Sequence, residues 1–307
     1  MAISFDRLQL MVTFIKIAGA GSISKAAREL QLAQSSVSRQ LKQLEDLFGT
    51  SLVHRTTHKL SLTEKGNEFL ADCHRLVRDW DGVQERFRQD EARPRGKLKV
   101  VASLGIGQLV LVEFAARYCQ KYPDVQLDWQ VFDGPISILD SGVDCLIKVG
   151  RIVEQSVITR VVAYLPVVVV ASPQLLKKYE SEASLRDFNL WPMIRVIPYF
   201  QYPILLKSGK RKSMTITGDP RMVTNNIIVA KAAAVAGVGF SVLPRWLAQP
   251  EIKAGRLCDV LPDWEPESLP VSVGTPPAKH KDLKTKLFIQ EITKGLHQYP
   301  GILPVKV

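Results

Sequence analysis

The chain has 307 residues, enough for two or three domains, and its 46% hydrophobic and 23% charged residues exclude wholesale disorder. The formal net charge of +11 favours a polyanionic partner, either nucleic acid or an anionic membrane surface. No window approaches the roughly 20 apolar residues that span a bilayer, and the four cysteines are far apart in sequence, so we expect a soluble cytoplasmic protein without a disulfide framework, metal or cofactor.

Three short helical patterns fill the first fifty residues. Apolar residues recur at helical spacing from Leu8 to Ala18, and two glycines then end the pattern. Ser22 or Ser24 can cap a second helix, whose small alanine face lets another helix approach closely. A third pattern ends at Gly49. Three helices with a tight connection between the second and third predict a helix-turn-helix unit.

The outward face of the third helix is polar and carries no acidic residue in its first two turns. We assign to this face Gln34, Ser35, Ser36, Ser38, Arg39 and Gln40. Gln can bond adenine, Arg can bond guanine, and Ser hydroxyls can bond base edges or phosphates, so the face suits the major groove. A merely solvated face is the alternative, but solvated helices usually include Glu and Asp. The predicted DNA-binding residues of the helices are Ser24, Gln34, Ser35, Ser36, Ser38, Arg39 and Lys42.

A short β-hairpin is predicted directly after the third helix. Residues 51–55 and 59–62 form two β-segments around a polar tip. Arg55 and Lys59 flank that tip, from which cationic side chains reach phosphates or the minor groove. Charged hairpins are common on protein surfaces, but the position after three helices favours a wing. Arg55 and Lys59 therefore complete the predicted DNA-binding set.

Four runs in this part share their order with a known family. They are GSISKAAREL at 21–30, QSSVSRQLKQLE at 34–45, FGTSLVHR at 48–55 and LTEKG at 62–66. In these runs the chain resembles the LysR-type transcriptional regulators. The resemblance implies that Arg55 supports DNA contacts made by Gln34, Ser35, Ser38 and Arg39. Ala33 departs from the family, which often has a capping Ser at that position.

A long helix is predicted after the wing. No proline occurs from Thr63 to Glu91, and apolar residues recur every three or four positions. This stripe comprises Phe69 or Leu70, Cys73, Leu76 or Val77, Trp80, Val83 and Phe87. The stripe can pack on its own chain, but a helix between two domains has few partners there. We therefore expect it to pair with the same helix of a second subunit, as the family resemblance also implies.

Strand and helix patterns alternate in the remaining two hundred residues. Strands are predicted at 97–102, 125–131 and 145–149, and a helix at 108–121, which indicates α/β units on mostly parallel sheets. The apolar run 165–170 is expected to be buried on both faces and to cross between two lobes. A strand at 271–274 and a helix at 282–297 return to the first lobe. Two lobes joined by two crossing strands form a cleft, where small ligands commonly bind.

The predicted architecture is α/β overall, with three parts. They are a mainly α winged helix-turn-helix at 1–62, a linker helix and hinge at 63–96, and an effector domain at 97–307. Lobe one of that domain comprises 97–164 and 270–307, and lobe two comprises 165–269. Looser motifs, including VDCLIKVG at 143–150 and AGVGFSVLP at 236–244, extend the family resemblance. It implies a fold like periplasmic binding proteins, with an inducer between the lobes.

By that analogy the effector site comprises Ser103, Leu104, Lys148, Gly150, Arg151, Arg195, Asn225 and Asn226. Two strand ends that lead into helices, at Ser103 and Asn225, would turn free backbone N–H groups and helix dipoles toward the cleft. Such groups favour a carboxylate or phosphate, and Arg151 or Arg195 would supply positive charge. Ordinary helix capping by the Ser and Asn side chains is the alternative.

The function predicted from these features is sequence-specific transcriptional regulation under control of a small-molecule effector. The expected partners are double-stranded DNA, the effector and further copies of the chain in a homodimer or homotetramer. RNA polymerase is left as an open alternative among the partners, and no membrane association is expected. An effector-independent assembly domain is one alternative, and a redox sensor is another. An enzyme with a DNA-binding module is disfavoured, because the sequence has no HExxH, GxSxG or GxxxxGK[ST] motif. Ligand titration separates a sensor from an assembly domain, because only a sensor gains thermal stability.

Overall fold

The computed structural model describes residues 6–55, 60–87, 93–154, 157–180, 190–197, 199, 203–208, 212–217, 219–277 and 283–305. The chain forms two compact units. The first comprises Met1–Arg93, Ile136–Asp144 and Pro276–Asp282, and the second comprises Pro94–Pro135, Cys145–Thr275 and Leu283–Val307. No helix of the described residues is both long enough and apolar enough to cross a bilayer.

The first unit contains the predicted helical triplet, hairpin and long helix. Its elements are α1 (Arg7–Ala20), α2 (Ile23–Leu30), α3 (Gln34–Phe48), β1 (Val53–Arg55), β2 (Leu60–Leu62) and α4 (Glu64–Phe87). The two strands pair antiparallel, with Val53 opposite Leu62. The winged helix-turn-helix prediction is therefore confirmed.

Local capping explains where these helices begin and end. The side chain of Ser22, and not that of Ser24, accepts the Lys25 N–H at the start of α2. Gly21 and Gly49 end α1 and α3 in the left-handed region, with φ of 59° and 60°. Ala33 precedes α3 and provides no side-chain hydrogen bond, as the departure from the family led us to expect.

The core of the first unit is built from all four helices. Phe14 and Ile17 of α1 are fully buried, and the Phe14 ring lies 5.5 Å from the Phe69 ring of α4. The helix predicted from the apolar spacing between Leu8 and Ala18 is present as α1, which packs against α2, α3 and α4. Its buried side chains are Leu10, Thr13, Phe14 and Ile17, and the residues that gave the pattern are half-buried.

The apolar stripe of α4 has two different environments. Phe69, Leu70 and Cys73 pack in the core of the first unit, so this part of the stripe serves its own chain, contrary to our preference. Further along the helix, the side chains of Leu76 and Trp80 are 41% and 47% exposed. The first half of α4 is thus anchored in the core of the first unit, whereas Leu76 and Trp80 beyond it are exposed.

The second unit contains two larger sheets. The strands of the first sheet are β3 (Gly96–Ala102), β4 (Val125–Val131), β5 (Cys145–Val149), β6 (Ile158–Leu165), β15 (Leu269–Thr275) and β16 (Leu303–Pro304). Those of the second are β7 (Val167–Ala171), β8 (Met193–Val196), β11 (Pro220–Thr224), β12 (Phe240–Pro244) and β13 (Cys258–Asp259). The first sheet has the strand order β16-β6-β15-β5-β3-β4, and the second has the order β11-β8-β12-β7-β13.

Both sheets are mixed, which corrects the prediction of mostly parallel sheets. In the first sheet β3 runs parallel to β4 and β5, but β15 is antiparallel to β5 and β6. In the second, β8 is parallel to β11 and β12, whereas β7 is antiparallel to β12. The antiparallel pairs arise because β6 continues into β7 across Pro166 while β15 returns. Every residue of β7 is buried, as predicted for that apolar run.

Helices and a third sheet complete the second unit. The helices are α5 (Leu104–Ile106), α6 (Val112–Lys121), α7 (Pro173–Glu180), α8 (Ile227–Val235), α9 (Arg245–Lys253) and α10 (Leu283–Gln298). A π-helical turn at Gly107–Leu111 joins α5 to α6, so the helix predicted at 108–121 begins earlier. The sequence did not predict the three-stranded sheet, which has the order β10-β9-β14 and comprises β9 (Ile204–Ser208), β10 (Lys212–Ile216) and β14 (Glu265–Pro266).

Candidate nucleic-acid interface and ligand cleft

The predicted recognition face of α3 is largely exposed. Gln34, Ser35, Arg39 and Lys42 are exposed, Ser36 and Ser38 are half-buried, and Ser24 is exposed on α2. Residues 34, 35, 38, 39 and 42 follow helical spacing and therefore share one side of α3. The opposite side carries the buried Val37, Leu41 and Leu44. The helix thus presents a polar and basic strip that is fixed from behind by the core.

Gln40 does not belong to the exposed face, and its prediction was wrong. Its side chain is 4% exposed, and its Oε1 accepts a hydrogen bond of 2.5 Å from the hydroxyl of Thr13. Gln40 lies three residues after Val37 and therefore shares the inward side of α3. The bond fixes α3 on α1 and satisfies a polar group that would be costly to bury alone.

The wing is attached to α3 by a carboxylate. An oxygen of Glu45 accepts the Leu52 N–H at 2.9 Å and the Val53 N–H at 3.4 Å. The acidic residue near the end of α3 therefore positions the hairpin. Arg55 is the last residue of β1, and Lys59 lies outside the described residues.

Thr63 and Gly66 join the wing to α4. The Thr63 hydroxyl donates to the Ser51 carbonyl at 3.0 Å and accepts the Gly66 N–H at 2.9 Å, which caps the helix. A Cβ atom at Gly66 would lie 2.0 Å from the Leu52 carbonyl oxygen. Only glycine permits this approach, so the run LTEKG has a structural role in addition to its family resemblance.

The second unit contains a cavity between its two sheets, at the carboxyl ends of their parallel strands. Its lining is Ile106, Val149, Leu165, Tyr199, Ile227, Pro244, Trp246 and Leu269. Chain segments that follow parallel strands meet at one edge of a sheet, and ligands commonly bind there. The room inside is about 10 Å³, which is on the order of one water molecule. The two sheets therefore pack closely together around this space.

A hydrogen-bonded chain crosses this cleft. The hydroxyl of Tyr199 donates to Oδ2 of Asp133 at 2.5 Å, and the other carboxylate oxygen accepts the Leu104 N–H at 3.1 Å. Ser103 is buried, accepts the Val149 N–H at 3.0 Å, and bonds the Tyr199 hydroxyl. Burial, followed by the bond to Asp133, raises the pKa of Tyr199, so the phenol stays protonated and donates.

At the two strand ends, backbone donors that the sequence suggested for an anion already have partners within the chain. Leu104 N–H is bound by Asp133, and Asn226 Oδ1 accepts the N–H groups of Ile228 and Val229 at 2.8 and 3.4 Å. Capping was the alternative for Asn225, and in the structure its neighbour Asn226 caps α8 instead. Ser103 makes no capping bond, because its hydroxyl serves the neighbouring strand.

The other predicted effector residues have varied positions. Lys148 and Arg195 are half-buried on β5 and β8, and Gly150 has a φ of 108° and accepts a bond from Ser272 at 2.7 Å. Arg151 and Asn225 are exposed and are not part of the cavity lining. The fold therefore brings Ser103, Leu104 and Asn226 to the ends of two strands, one in each sheet, that are followed by cavity-lining residues, but it does not gather all eight residues around the cavity.

The sequence reasoning missed Asp133 and Tyr199. Asp133 follows the end of β4, and Tyr199 follows the end of β8, so both lie beyond the carboxyl end of a parallel strand. That rule would have identified Asp133, because its strand was predicted correctly. Tyr199 follows a strand that the sequence had not indicated.

The four cysteines have free thiols. Cys73 is buried, and its burial, with a smaller contribution from Asp72, raises the pKa of its thiol to about 12. Burial also raises the pKa of Cys119. Thiolates are the reactive form of cysteine, so a reactive thiol is disfavoured at Cys73, which weakens the redox alternative.

Comparisons with known proteins agree across both units. Residues 8–67 match the family "Bacterial regulatory helix-turn-helix protein, lysR family", and residues 91–296 match "LysR substrate binding domain". An Escherichia coli K12 protein named uncharacterized HTH-type transcriptional regulator YhjC is 29% identical over 96% of this chain and 99% of its own length. A Pseudomonas aeruginosa protein named HTH-type transcriptional repressor PA14_22550 is 29% identical over 97% of this chain and 94% of its own.

Among solved structures, the chain is similar in fold to full-length LysG from Corynebacterium glutamicum, which was determined with bound effector Arg. The TM-score is 0.63 at 19% sequence identity, over 94% of this chain and 97% of that one.

Proposed function

This chain belongs to the LysR family of DNA-binding transcriptional regulators, and we propose that the exposed face of α3 reads operator bases while the cleft senses a small molecule. The relatives are regulators and not enzymes. The observation that carries the assignment to α3 is its strip of exposed Gln, Ser and Arg side chains, which contains no acidic residue in the first two turns. The proposed DNA contacts are Ser24, Gln34, Ser35, Ser36, Ser38, Arg39, Lys42, Arg55 and Lys59.

The DNA-binding units act in pairs in this proposal. The exposed Leu76 and Trp80 of α4 support a surface that a second copy covers. Two recognition helices would then occupy successive major grooves of an interrupted inverted repeat, and two dimers can form a tetramer. We propose that this assembly acts at promoters in the cytoplasm, where RNA polymerase is a further partner.

The second unit is proposed to report ligand binding to the DNA. Residues 97–307 form the effector domain in this division, after a DNA-binding domain at 1–62 and a linker at 63–96. Its lobes are 97–164 with 270–307, and 165–269. A ligand that prefers one separation of the lobes shifts the populations of the assembly and thereby the DNA bend. The effector that LysG binds supports small-molecule sensing on this fold.

One observation favours a second candidate, an effector-independent assembly domain. Asp133 and Tyr199 of the chain itself bond to each other across a cavity of only about 10 Å³, and such a contact suits a domain whose role is to hold its parts together. Thermal unfolding measured against a broad set of metabolites separates the two candidates. A sensor gains stability with its effector by mass action, whereas an assembly domain gains none.

The DNA-binding proposal is tested by selection from the genome. Purified full-length protein is mixed with fragmented DNA of its own genome, the retained fragments are sequenced, and binding is repeated at several salt concentrations. A shared, roughly two-fold symmetric site that survives moderate salt supports the proposal. Diffuse retention that disappears with salt would show attraction by charge alone and would contradict it.

A further inference from the structure

The cleft of the second unit has a charge opposite to the one that the sequence suggested. Among the described residues that line the cavity or belong to its hydrogen-bonded chain, Asp133 alone carries a formal charge. The other described residues of the lining are aliphatic or aromatic, and the polar groups besides Asp133 are the hydroxyls of Ser103 and Tyr199 and the buried indole N–H of Trp246, which has no hydrogen-bond partner among the described residues. The expected anion-binding donor, the Leu104 N–H, is already bound to the Asp133 carboxylate.

This arrangement penalises an anion. A ligand carboxylate would face the Asp133 carboxylate among apolar side chains, where like charges repel strongly and a charge without a partner is costly. It would also have to compete with Asp133 for Leu104 N–H. A cationic donor meets the reverse situation, because it can replace the Tyr199 hydroxyl on Oδ2 while the other oxygen keeps its bond.

The Tyr199 phenol already makes a charge-assisted hydrogen bond to the Asp133 carboxylate, but an ammonium group also brings a full positive charge. Its Coulomb attraction to Asp133 among apolar side chains therefore outweighs the bond of the phenol that it displaces. We propose that the cleft takes a small molecule with an ammonium or similar cationic hydrogen-bond donor that pairs with Asp133, and a short apolar body. The proposal rests on the sensing role of the same cleft and specifies the chemistry of its ligand.

The size of the cavity connects this pairing to lobe separation. The present room of about 10 Å³ admits no such molecule, so the lobes open to receive it. Opening breaks the bond between Tyr199 and Asp133 and separates Gly105 from Ile227, where an added Cβ would now lie 2.3 Å from Ile227 Cδ1. Tyr199 is therefore the internal competitor of the ligand.

The test uses the full-length protein and two probes of matched shape, n-butylammonium chloride and sodium n-butyrate. The melting temperature is measured by calorimetry at constant ionic strength, with sodium chloride as the salt control. We expect n-butylammonium to raise the melting temperature by about 2 °C in the tens of millimolar range, and butyrate to leave it unchanged.

Two variants at opposite ends of one hydrogen bond give opposite results. Asp133→Asn removes the charge and raises the half-saturating n-butylammonium concentration by about tenfold or more. Tyr199→Phe removes the competitor and lowers that concentration by about threefold or more. If Asp133 and Tyr199 had only a structural role, both substitutions would shift the half-saturating n-butylammonium concentration in the same direction. Asp263→Asn, which neutralises an exposed carboxylate elsewhere, is the control and behaves like the wild type.

Three results would overturn the proposal: stabilisation by butyrate instead of n-butylammonium, an unchanged response in Asp133→Asn, or no response to either probe. Operator binding of the same preparations is measured without probe. If one of these three results occurs and the protein still binds its operator, the proposed regulatory function stands and only the cationic ligand is rejected. If the wild type shows no preference for the operator sequence, the regulatory function itself is rejected.

Discussion

The α3 face and the cleft differ in how the residues of each proposed site are distributed along the chain. The proposed DNA contacts of α3 lie within nine positions of one helix and share a single polar strip. The cleft depends on Asp133 and Tyr199, which are 66 residues apart and follow strands of different sheets. The periodicity of the local sequence therefore predicts a site on one helix, whereas a site between two sheets depends on how the strands are connected and ordered.

The largest effect is expected at Gly66 in the first unit, where an added Cβ would meet backbone, whereas at Gly105 in the second unit it would meet a side chain. Gly66→Ala places a Cβ 2.0 Å from the Leu52 carbonyl oxygen, and backbone cannot yield as a side chain does. We expect a loss on the order of 3 kcal/mol in the free energy of unfolding, with loss of DNA binding. Urea unfolding measures it. Gly19→Ala, with nothing within 4 Å of the added Cβ, is the control and should not destabilise the protein. Equal stability of both variants would contradict the described contact.

Two glutamines of α3 test the difference between its buried face, which packs on α1, and its exposed face, which is proposed to contact DNA. Gln40→Ala leaves the Thr13 hydroxyl buried without its partner and should cost about 2 kcal/mol of unfolding free energy. Gln34→Ala alters an exposed side chain and should leave stability within about 0.5 kcal/mol while weakening preference for the operator. Calorimetry and operator binding on both variants check the pair. Reversed effects would mean that the two faces of α3 are misassigned.

Alkaline pH should weaken the first unit through Cys73. Its folded pKa of about 12 lies above the usual value, so the neutral thiol contributes stability that is present below about pH 8.5 and is lost as the pH rises toward 12. The loss should be about 1 kcal/mol over the first pH unit above the unfolded value. Urea unfolding at several pH values, with Cys73→Ala for comparison, measures the slope. An identical slope in both proteins would contradict the burial of this thiol.

The smallest effect is expected at the cleft. Gly105→Ala meets only the end of the Ile227 side chain, at 2.3 Å, and that side chain can move. The cost should be below about 1 kcal/mol, with the lobes shifted toward the open state. Small-angle scattering of the full-length protein, beside calorimetry, detects both changes. A loss of unfolding free energy as large as that in Gly66→Ala would show that the lobes cannot move apart to accommodate the added Cβ.

Much of the fold was predictable, because helical spacing, glycine stops and strand patterns are local. The bounds of β4 and β5 were predicted as the structure has them. Local patterns did not reveal that Gln40 turns inward or that α4 packs first on its own unit, since both depend on the neighbours of a helix. In the cleft, Asp133 could have been identified because it follows a correctly predicted strand, whereas Tyr199 follows a strand that no local pattern indicated. The Leu104 N–H, expected there as a free donor, is bonded to Asp133.

The central claim, that α3 reads bases, is tested most directly by measuring discrimination. The affinity of the wild type, Arg39→Ala and Lys42→Ala is determined for the genomically selected site and for a scrambled duplex of equal length. Arg39→Ala should lower the ratio of the two affinities by about 5- to 150-fold, equivalent to 1 to 3 kcal/mol, whereas Lys42→Ala should weaken both affinities and keep the ratio. An unchanged ratio in Arg39→Ala would contradict the claim.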